Sequence, residues 1–125
     1  MSASRAKGTR WESACVNFLQ EHGFPWADRI PLSGAKDRCD VTTGPGGPVI
    51  EAKNLRQDEW AKGLDEANKG AANARAPFGV LWAHRRGKGS PGEGFVVMDG
   101  ATFVQLLLEA GYAWEPPLPG RGEVA

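Results

Sequence analysis

The sequence predicts an α/β (α+β) fold in which helices flank a central mixed sheet of five strands. Three segments carry apolar residues at the spacing of an amphipathic helix. Five shorter apolar segments lie between glycine- and proline-rich turns, which is typical of strands. These segments follow the order α-β-β-β-α-β-β-α without an internal repeat, and 125 residues suit one domain of this kind.

The first helix is predicted to begin at Thr9 and to end before Gly23. Thr9 and Glu12 have the spacing of a capping box, in which each side chain accepts a hydrogen bond from the other residue's backbone N–H. This start divides the chain into three parts: a flexible basic arm at 1–8, a folded domain at 9–113 and a disordered, proline-rich tail at 114–125.

Three strands are predicted after this helix, at residues 26–32, 38–43 and 48–54. The sequence Gly-Pro-Gly-Gly at 44–47 is a strong turn signal. Two strands joined by such a short turn form an antiparallel hairpin. We therefore expect the second and third strands to be neighbours in the sheet.

A second helix is predicted from Asp58 to about Arg75, with one stripe of apolar and alanine side chains. Gly63 and Gly70 each weaken this helix by roughly 1 kcal/mol relative to alanine, unless close packing requires them. The remaining elements are predicted as a buried strand at 78–83, a basic glycine-rich loop at 84–93, a strand at 94–98 and an apolar helix at 101–110.

Charge and composition exclude several classes of protein. The 15 basic and 15 acidic residues balance, whereas a protein that coats nucleic acid is basic overall, so any such contact must come from local clusters. No apolar segment approaches the length of a membrane-spanning helix, and the N-terminus has no apolar signal core. Cys15 and Cys39 have apolar neighbours, as expected for reduced, buried thiols of a cytoplasmic protein.

Three charged side chains are predicted to share one face of the sheet. Because successive side chains of a strand point to opposite faces, Glu51 and Lys53 share a face in the third strand. Asp40 in the second strand points the same way. The opposite face is apolar and is expected to be buried, with Cys39, Val41, Ile50 and Ala52.

Such a group of charges is typical of a metal site. Asp40 and Glu51 would repel each other, and a divalent cation that prefers oxygen ligands, Mg²⁺ or Mn²⁺, relieves that repulsion. The carbonyl of Ala52 offers a further ligand. The metal would polarise a phosphate oxygen and lower the pKa of bound water, while Lys53 positions that water or offsets transition-state charge. The alternative is ordinary surface charge, since so short a pattern is common by chance.

Four segments together resemble the PD-(D/E)xK nuclease superfamily, and more closely the archaeal-type Holliday-junction resolvases and their phage-encoded relatives. Residues 7–12 resemble the family's opening Lys-Gly-x-x-x-Glu, and residues 49–54 resemble its Glu-x-Lys strand. Residues 34–40 resemble its glycine-rich approach to a metal-binding aspartate. The Gly-Phe pair at 23–24, followed by Arg29, resembles the segment before its first strand.

The resemblance implies a restriction-endonuclease-like fold that cleaves DNA with Mg²⁺. Asp40 and Glu51 would be its metal ligands, and Lys53 its catalytic lysine. Glu12 would be an accessory acid, although the capping box explains the same residue without catalysis. Cys39 stands where relatives usually have glycine or proline, which is without consequence if Cys39 faces the core.

Two basic clusters are candidates for DNA contacts. The resemblance assigns Lys7 and Arg10 to phosphate. Arg85, Arg86 and Lys88 could clamp a DNA backbone, because the glycines of their loop let N–H groups approach phosphates. The alternative is that both clusters are solvated surface.

The leading hypothesis is a metal-dependent endonuclease that resolves Holliday junctions or other branched DNA. A junction needs two symmetric cuts, so the resemblance also implies a homodimer. Two alternatives stay open: a nuclease of the same superfamily with another DNA substrate, as in restriction or repair, and a DNA-binding module with a degenerate nuclease fold.

Overall fold

The structure is a computed structural model that describes residues 3–32 and 36–114. Its elements follow the predicted order. The helices are α1 (Ala3–Glu21), α2 (Trp60–Ala74) and α3 (Gly100–Glu109), and short 3-10 turns lie at Gln57–Glu59 and Pro91–Glu93. The strands are β1 (Asp28–Arg29), β2 (Val41–Thr42), β3 (Val49–Lys53), β4 (Gly79–Ala83) and β5 (Phe95–Val97).

The five strands form one mixed sheet in the order β1-β2-β3-β4-β5, which confirms the predicted fold class. Every neighbouring pair is antiparallel except β3 and β4, which are parallel. A parallel pair needs a crossover connection, and α2 supplies it. The carboxyl ends of β3 and β4 therefore meet at one edge, where the backbone N–H of His84 donates to the carbonyl of Lys53 at 3.0 Å.

Helix α1 covers one face of the sheet. The indole N–H of Trp11 donates to the backbone carbonyl of Trp82 at 3.0 Å, which ties the first helix to the fourth strand. The core on this side is apolar, so its burial is the main source of stability. Its buried members are Trp11, Cys15, Val16, Val41, Ile50, Ala52, Val80 and Trp82.

Helix α2 covers the opposite face through small residues. A Cβ added at Gly63 would lie within 3.1 Å of the Leu81 side chain. A Cβ added at Gly70 would overlap the Sγ of Cys39 and lie 2.9 Å from its backbone nitrogen. Close packing therefore requires both glycines, which outweighs their low helix propensity.

The predicted start of α1 is wrong. The helix begins at Ala3, so Thr9 lies inside it and cannot cap it, and residues 3–8 of the predicted arm are helical. Ala6, Lys7 and Arg10 are strong helix formers, and the glycine among them is tolerated in a helix at a cost of about 1 kcal/mol. Of the predicted tail, residues 115–125 lie outside the described residues.

The predicted strands before β3 are too long, and one face assignment is wrong. Pro31 has no N–H for strand pairing, and β1 spans only two residues. Cys39 has a left-handed backbone with φ of +76°, which breaks the side-chain alternation before β2. Its Sγ lies 3.5 Å from the carbonyl of Ala67, so Cys39 packs under α2 and not with Val41.

Helix α3 is capped by Asp99, whose Oδ1 accepts a hydrogen bond from the N–H of Thr102 at 2.8 Å. Hydrogen bonds from the side chain of Thr102 and then from its backbone N–H hold the pKa of the Asp99 carboxyl below its ordinary value. The helix leaves Phe103, Val104 and Leu108 more than half exposed. None of the helices in the described ranges is long and apolar enough to cross a membrane.

Candidate active site

The structure brings Asp40, Glu51 and Lys53 together on adjacent strands. The ammonium nitrogen of Lys53 lies 3.3 Å from Oδ2 of Asp40 and 3.7 Å from Oε2 of Glu51. Oδ2 of Asp40 also accepts a hydrogen bond from the backbone N–H of Ala52 at 2.9 Å. Asp40 lies directly before β2, and this hydrogen bond to β3 fixes the position of its carboxylate.

Glu51 does not lie on an open face, because α2 covers it and leaves it 3% exposed. Its Oε1 has no hydrogen-bond partner among the described residues. Burial raises the pKa of Glu51 to about 7, and the negative charges of Asp40, Asp37 and Glu66 act in the same direction. An unpartnered, buried carboxylate oxygen is costly, so it indicates a place for a further ligand.

The two other members of the site also have shifted pKa values. Burial raises the pKa of Asp40, and the nearby ammonium of Lys53 opposes that shift. Burial would lower the pKa of Lys53, but the charges of Asp40 and Glu51 outweigh it, so the pKa of Lys53 lies above its ordinary value. Lys53 is therefore a cation at neutral pH that partly neutralises both acids.

Glu12 approaches the same site from α1. Its carboxylate raises the pKa of Asp40, which places it within electrostatic reach of the site. Its Oε1 also accepts from the guanidinium of Arg29, with a distance of 2.9 Å to Nη2 and 3.1 Å to Nε. Only the family resemblance indicates a role for Arg29, and no local sequence pattern predicts that it pairs with Glu12.

The donors present fit a small divalent cation. Mg²⁺ keeps several waters and uses one or two protein carboxylates, so Asp40 and Glu51 with its free Oε1 would suffice. Within residues 3–32 and 36–114, no three side chains of His, Cys, Asp or Glu form a complete metal-binding group. The third predicted ligand is the backbone carbonyl of Ala52, the residue whose N–H donates to Oδ2 of Asp40.

Comparisons with protein-family models, with curated proteins and with solved structures found no match. Function must therefore be inferred from the geometry and charge of the site and of the surfaces beside it.

A basic groove of about 450 Å³ lies beside α1 at the carboxyl ends of β3 and β4. We call it the α1 groove. Lys7 and Arg10 line it from the helix, and His84 and Arg86 line it from the loop after β4. The structure thus brings Arg86 of the second basic cluster beside Lys7 and Arg10 of the first. Its other lining residues are Trp11, Ala14, Asn54, Gly87 and Gly89.

A second groove of about 530 Å³ lies beside the start of α2 and shares Asn54, His84 and Arg86 with the first. We call it the α2 groove. Arg85, one of the predicted DNA contacts, lines it together with Arg86. No carboxylate lines either groove among the described residues, so a chain of zero net charge has a cationic surface here. Its other lining residues are Leu55, Arg56, Gln57, Trp60 and Phe95.

Lys88 is not brought to these grooves. Its N–H donates to the carbonyl of Arg85 in a tight turn, and its ammonium lies 3.9 Å from Oε2 of Glu93. Asp37, a further acid in the segment before β2, accepts a hydrogen bond from the N–H of Cys39 at 3.0 Å and so stabilises the turn at Cys39. The aromatic residues of the α2 groove were missed, because no local pattern predicts that Trp60 meets Phe95.

Proposed function

We propose that the protein is a metal-dependent DNA endonuclease of the PD-(D/E)xK type, with four-way junctions or other branched DNA as its substrate. The observation that carries the proposal is the contact of Lys53 with both Asp40 and Glu51 on adjacent strands. The cationic grooves at the carboxyl ends of β3 and β4 support a polyanionic substrate.

Asp40 and Glu51 would hold Mg²⁺ or Mn²⁺, with the carbonyl of Ala52 as a further ligand. Such an ion supplies a Lewis acid for the phosphate and a water of lowered pKa. The unpartnered Oε1 of Glu51 and its raised pKa support this role, since a bound cation would favour the ionised carboxylate.

Basic side chains of the protein would bind the DNA phosphates and offset negative charge at the reacting phosphate. Lys53 places its ammonium beside the carboxylates, where it can donate a hydrogen bond to a phosphate oxygen and offset negative charge that develops in the transition state. Lys7, Arg10 and Arg86 would hold flanking phosphates in the α1 groove. Glu12 would act as the accessory acid and accept a hydrogen bond from a water molecule near Asp40.

The proposal includes a homodimer inside the cell. Resolving a junction requires two cuts, and two copies of the chain supply two sites. The buried free thiols of Cys15 and Cys39 are compatible with a reducing compartment. The mass of the purified protein in solution, measured by light scattering, should be twice that of one chain.

The test is cleavage of a labelled four-way junction with Mg²⁺. Paired nicks are expected from the wild type, and Asp40→Asn and Lys53→Ala should each lower the rate at least about a hundredfold. Lys62→Ala is the matched control, because Lys62 is exposed on α2 and lines neither groove. Equal rates in all variants would refute the site. Flap and linear duplex DNA of the same sequence distinguish a resolvase from a nuclease with another substrate.

One observation favours a second candidate, a non-catalytic DNA-binding module. Lys53 lies between the carboxylates and already balances part of their charge without a metal. This candidate predicts that junction or duplex DNA binds and that neither Mg²⁺ nor Mn²⁺ produces any cut. The same cleavage assay therefore decides between the two.

A further inference from the structure

The α2 groove contains an aromatic pair that the proposed chemistry does not use. Trp60, the first residue of α2, lies with its ring centre 5.1 Å from that of Phe95, the first residue of β5. Phe95 is 38% exposed, so part of its ring is open to a ligand. Each aromatic ring offers a flat apolar face, which is the surface on which a nucleobase stacks.

Free hydrogen-bonding groups surround this pair. The indole N–H of Trp60 is buried and has no partner within the described ranges. The guanidinium of Arg85 lies 5.1 Å from the ring centre of Phe95, and neither Arg85 nor Arg86 forms an ion pair with a described carboxylate. The groove thus combines two guanidinium groups that have no described carboxylate partner with the partly open ring of Phe95, which suits a phosphate joined to a flat base.

We propose that the α2 groove binds one unpaired nucleotide of the DNA substrate, with its base against Phe95 and Trp60 and its phosphate against Arg85 and Arg86. This inference rests on the proposed nuclease function and specifies its substrate: DNA with a base that is free to leave the stack. The volume of about 530 Å³ is within the range of small-molecule sites.

A continuous duplex cannot fill this site without cost. Its bases are stacked on one another, and taking one out requires a few kcal/mol, whereas branched DNA with a single-stranded flap or a gap offers a base that is already unpaired. The groove shares Asn54 with the α1 groove, directly after Lys53, so the unpaired nucleotide would be held next to the reacting strand. The enzyme would therefore select a discontinuity in the duplex and not a base sequence.

The test is the affinity for labelled DNA in EDTA, where no hydrolysis occurs. Three DNAs of one sequence are compared: a duplex with an unpaired three-nucleotide gap, the same DNA with abasic sites in the gap, and the continuous duplex. The wild type should bind the gapped DNA at least about fivefold more tightly than the other two. Phe95→Leu keeps an apolar side chain but removes the ring, and it should bind all three alike.

Phe103→Leu is the matched control, since Phe103 is exposed on α3 and lines neither groove. It should keep the wild-type preference. The abasic DNA tests stacking in the unaltered protein, so the result does not depend on how a variant folds. Equal affinity of the wild type for gapped and abasic DNA would overturn the inference. Cleavage with Mg²⁺ is measured separately. A preference for gapped over abasic DNA without any cleavage refutes only the nuclease function. Cleavage without that preference refutes only this nucleotide site.

Discussion

The ammonium nitrogen of Lys53 lies 3.3 Å from a carboxylate oxygen of Asp40, and the same nitrogen lies 3.7 Å from a carboxylate oxygen of Glu51. One positive charge cannot balance two negative charges, so the group carries an excess negative charge when both acids are ionised. Because Glu51 is buried under α2, that excess is costly, and the pKa of Glu51 is raised to about 7.

The stabilising effect of protonated Glu51 should be lost as the pH rises. The pKa of Glu51 is about 7 in the folded protein and 4.5 ordinarily, so between these values the folded state binds more protons than the unfolded state. The contribution is complete below about pH 4.5 and is lost as the pH rises through 7. Relative to Glu51→Gln, the wild type should therefore lose on the order of 3 kcal/mol of unfolding free energy across this window.

Urea denaturation at closely spaced pH values measures that difference. Glu66→Gln serves as a control, because Glu66 is exposed on α2 and raises the pKa of Glu51 only from a distance. A difference between wild type and Glu51→Gln that stays constant over the window would contradict a buried, titrating carboxyl.

Mg²⁺ should stabilise the wild type at pH 8 and much less at pH 5.5, where Glu51 is protonated. At a concentration tenfold above its dissociation constant, the ion contributes about 1.4 kcal/mol, or roughly 3–6 °C in Tm for a chain of this size. Asp40→Asn should abolish the shift. If that variant and the wild type gain equally at matched ionic strength, the ion binds elsewhere.

Variants at Glu12 and Arg29 separate an accessory acid from a surface ion pair. The pair is partly exposed, with 47% of the Arg29 side chain open to solvent, so losing it should cost at most about 1 kcal/mol. Arg29→Ala removes the pair but leaves the carboxylate near Asp40, and we expect a cleavage rate close to wild type. Glu12→Gln should lower the rate roughly tenfold or more. A wild-type rate in Glu12→Gln would contradict the accessory role, and an equal loss of rate in both variants would mean that Glu12 acts only through Arg29.

Gly70→Ala should destabilise the protein although alanine favours helix. The added Cβ meets Cys39 and lies 3.3 Å from the carbonyl carbon of Arg38, so backbone must move, at a cost of about 1–3 kcal/mol. Gly8→Ala is the matched control on α1, because nothing lies within 4 Å of its Cβ position, and it should stabilise by about 0.5–1 kcal/mol. Thermal unfolding measures both, and stabilisation by Gly70→Ala would refute the close approach of α2 to the segment before β2.

The order of elements was predictable because hydrophobic periodicity is a local property of the sequence. The residues at which the elements begin and end were harder to predict. The Thr9–Glu12 spacing mimics a helix start, yet it lies inside α1, since the preceding residues also form helix. The turn at Cys39 was not predictable either, because a positive φ at a residue other than glycine is a consequence of tertiary packing under α2.

The grouping of Asp40, Glu51 and Lys53 was predictable because it needs only alternation and one hairpin. Its burial was not, since that depends on α2 crossing the face that carries Glu51. The grooves were beyond local reasoning for the same reason. They join Lys7 and Arg10 to Arg86, and Trp60 to Phe95, and such contacts exist only after the whole sheet has assembled.

The bond from the Trp11 indole to the Trp82 carbonyl spans 71 positions of the chain. A chain still on the ribosome cannot form this bond until β4 has emerged from the exit tunnel, so the contact of α1 with the fourth strand is made late in synthesis. Arg86 follows β4 in the chain, so the α1 groove that Lys7, Arg10 and Arg86 line is also completed late. A chain that detaches before Trp82 would therefore lack the α1 groove, to which the proposed function assigns the flanking phosphates.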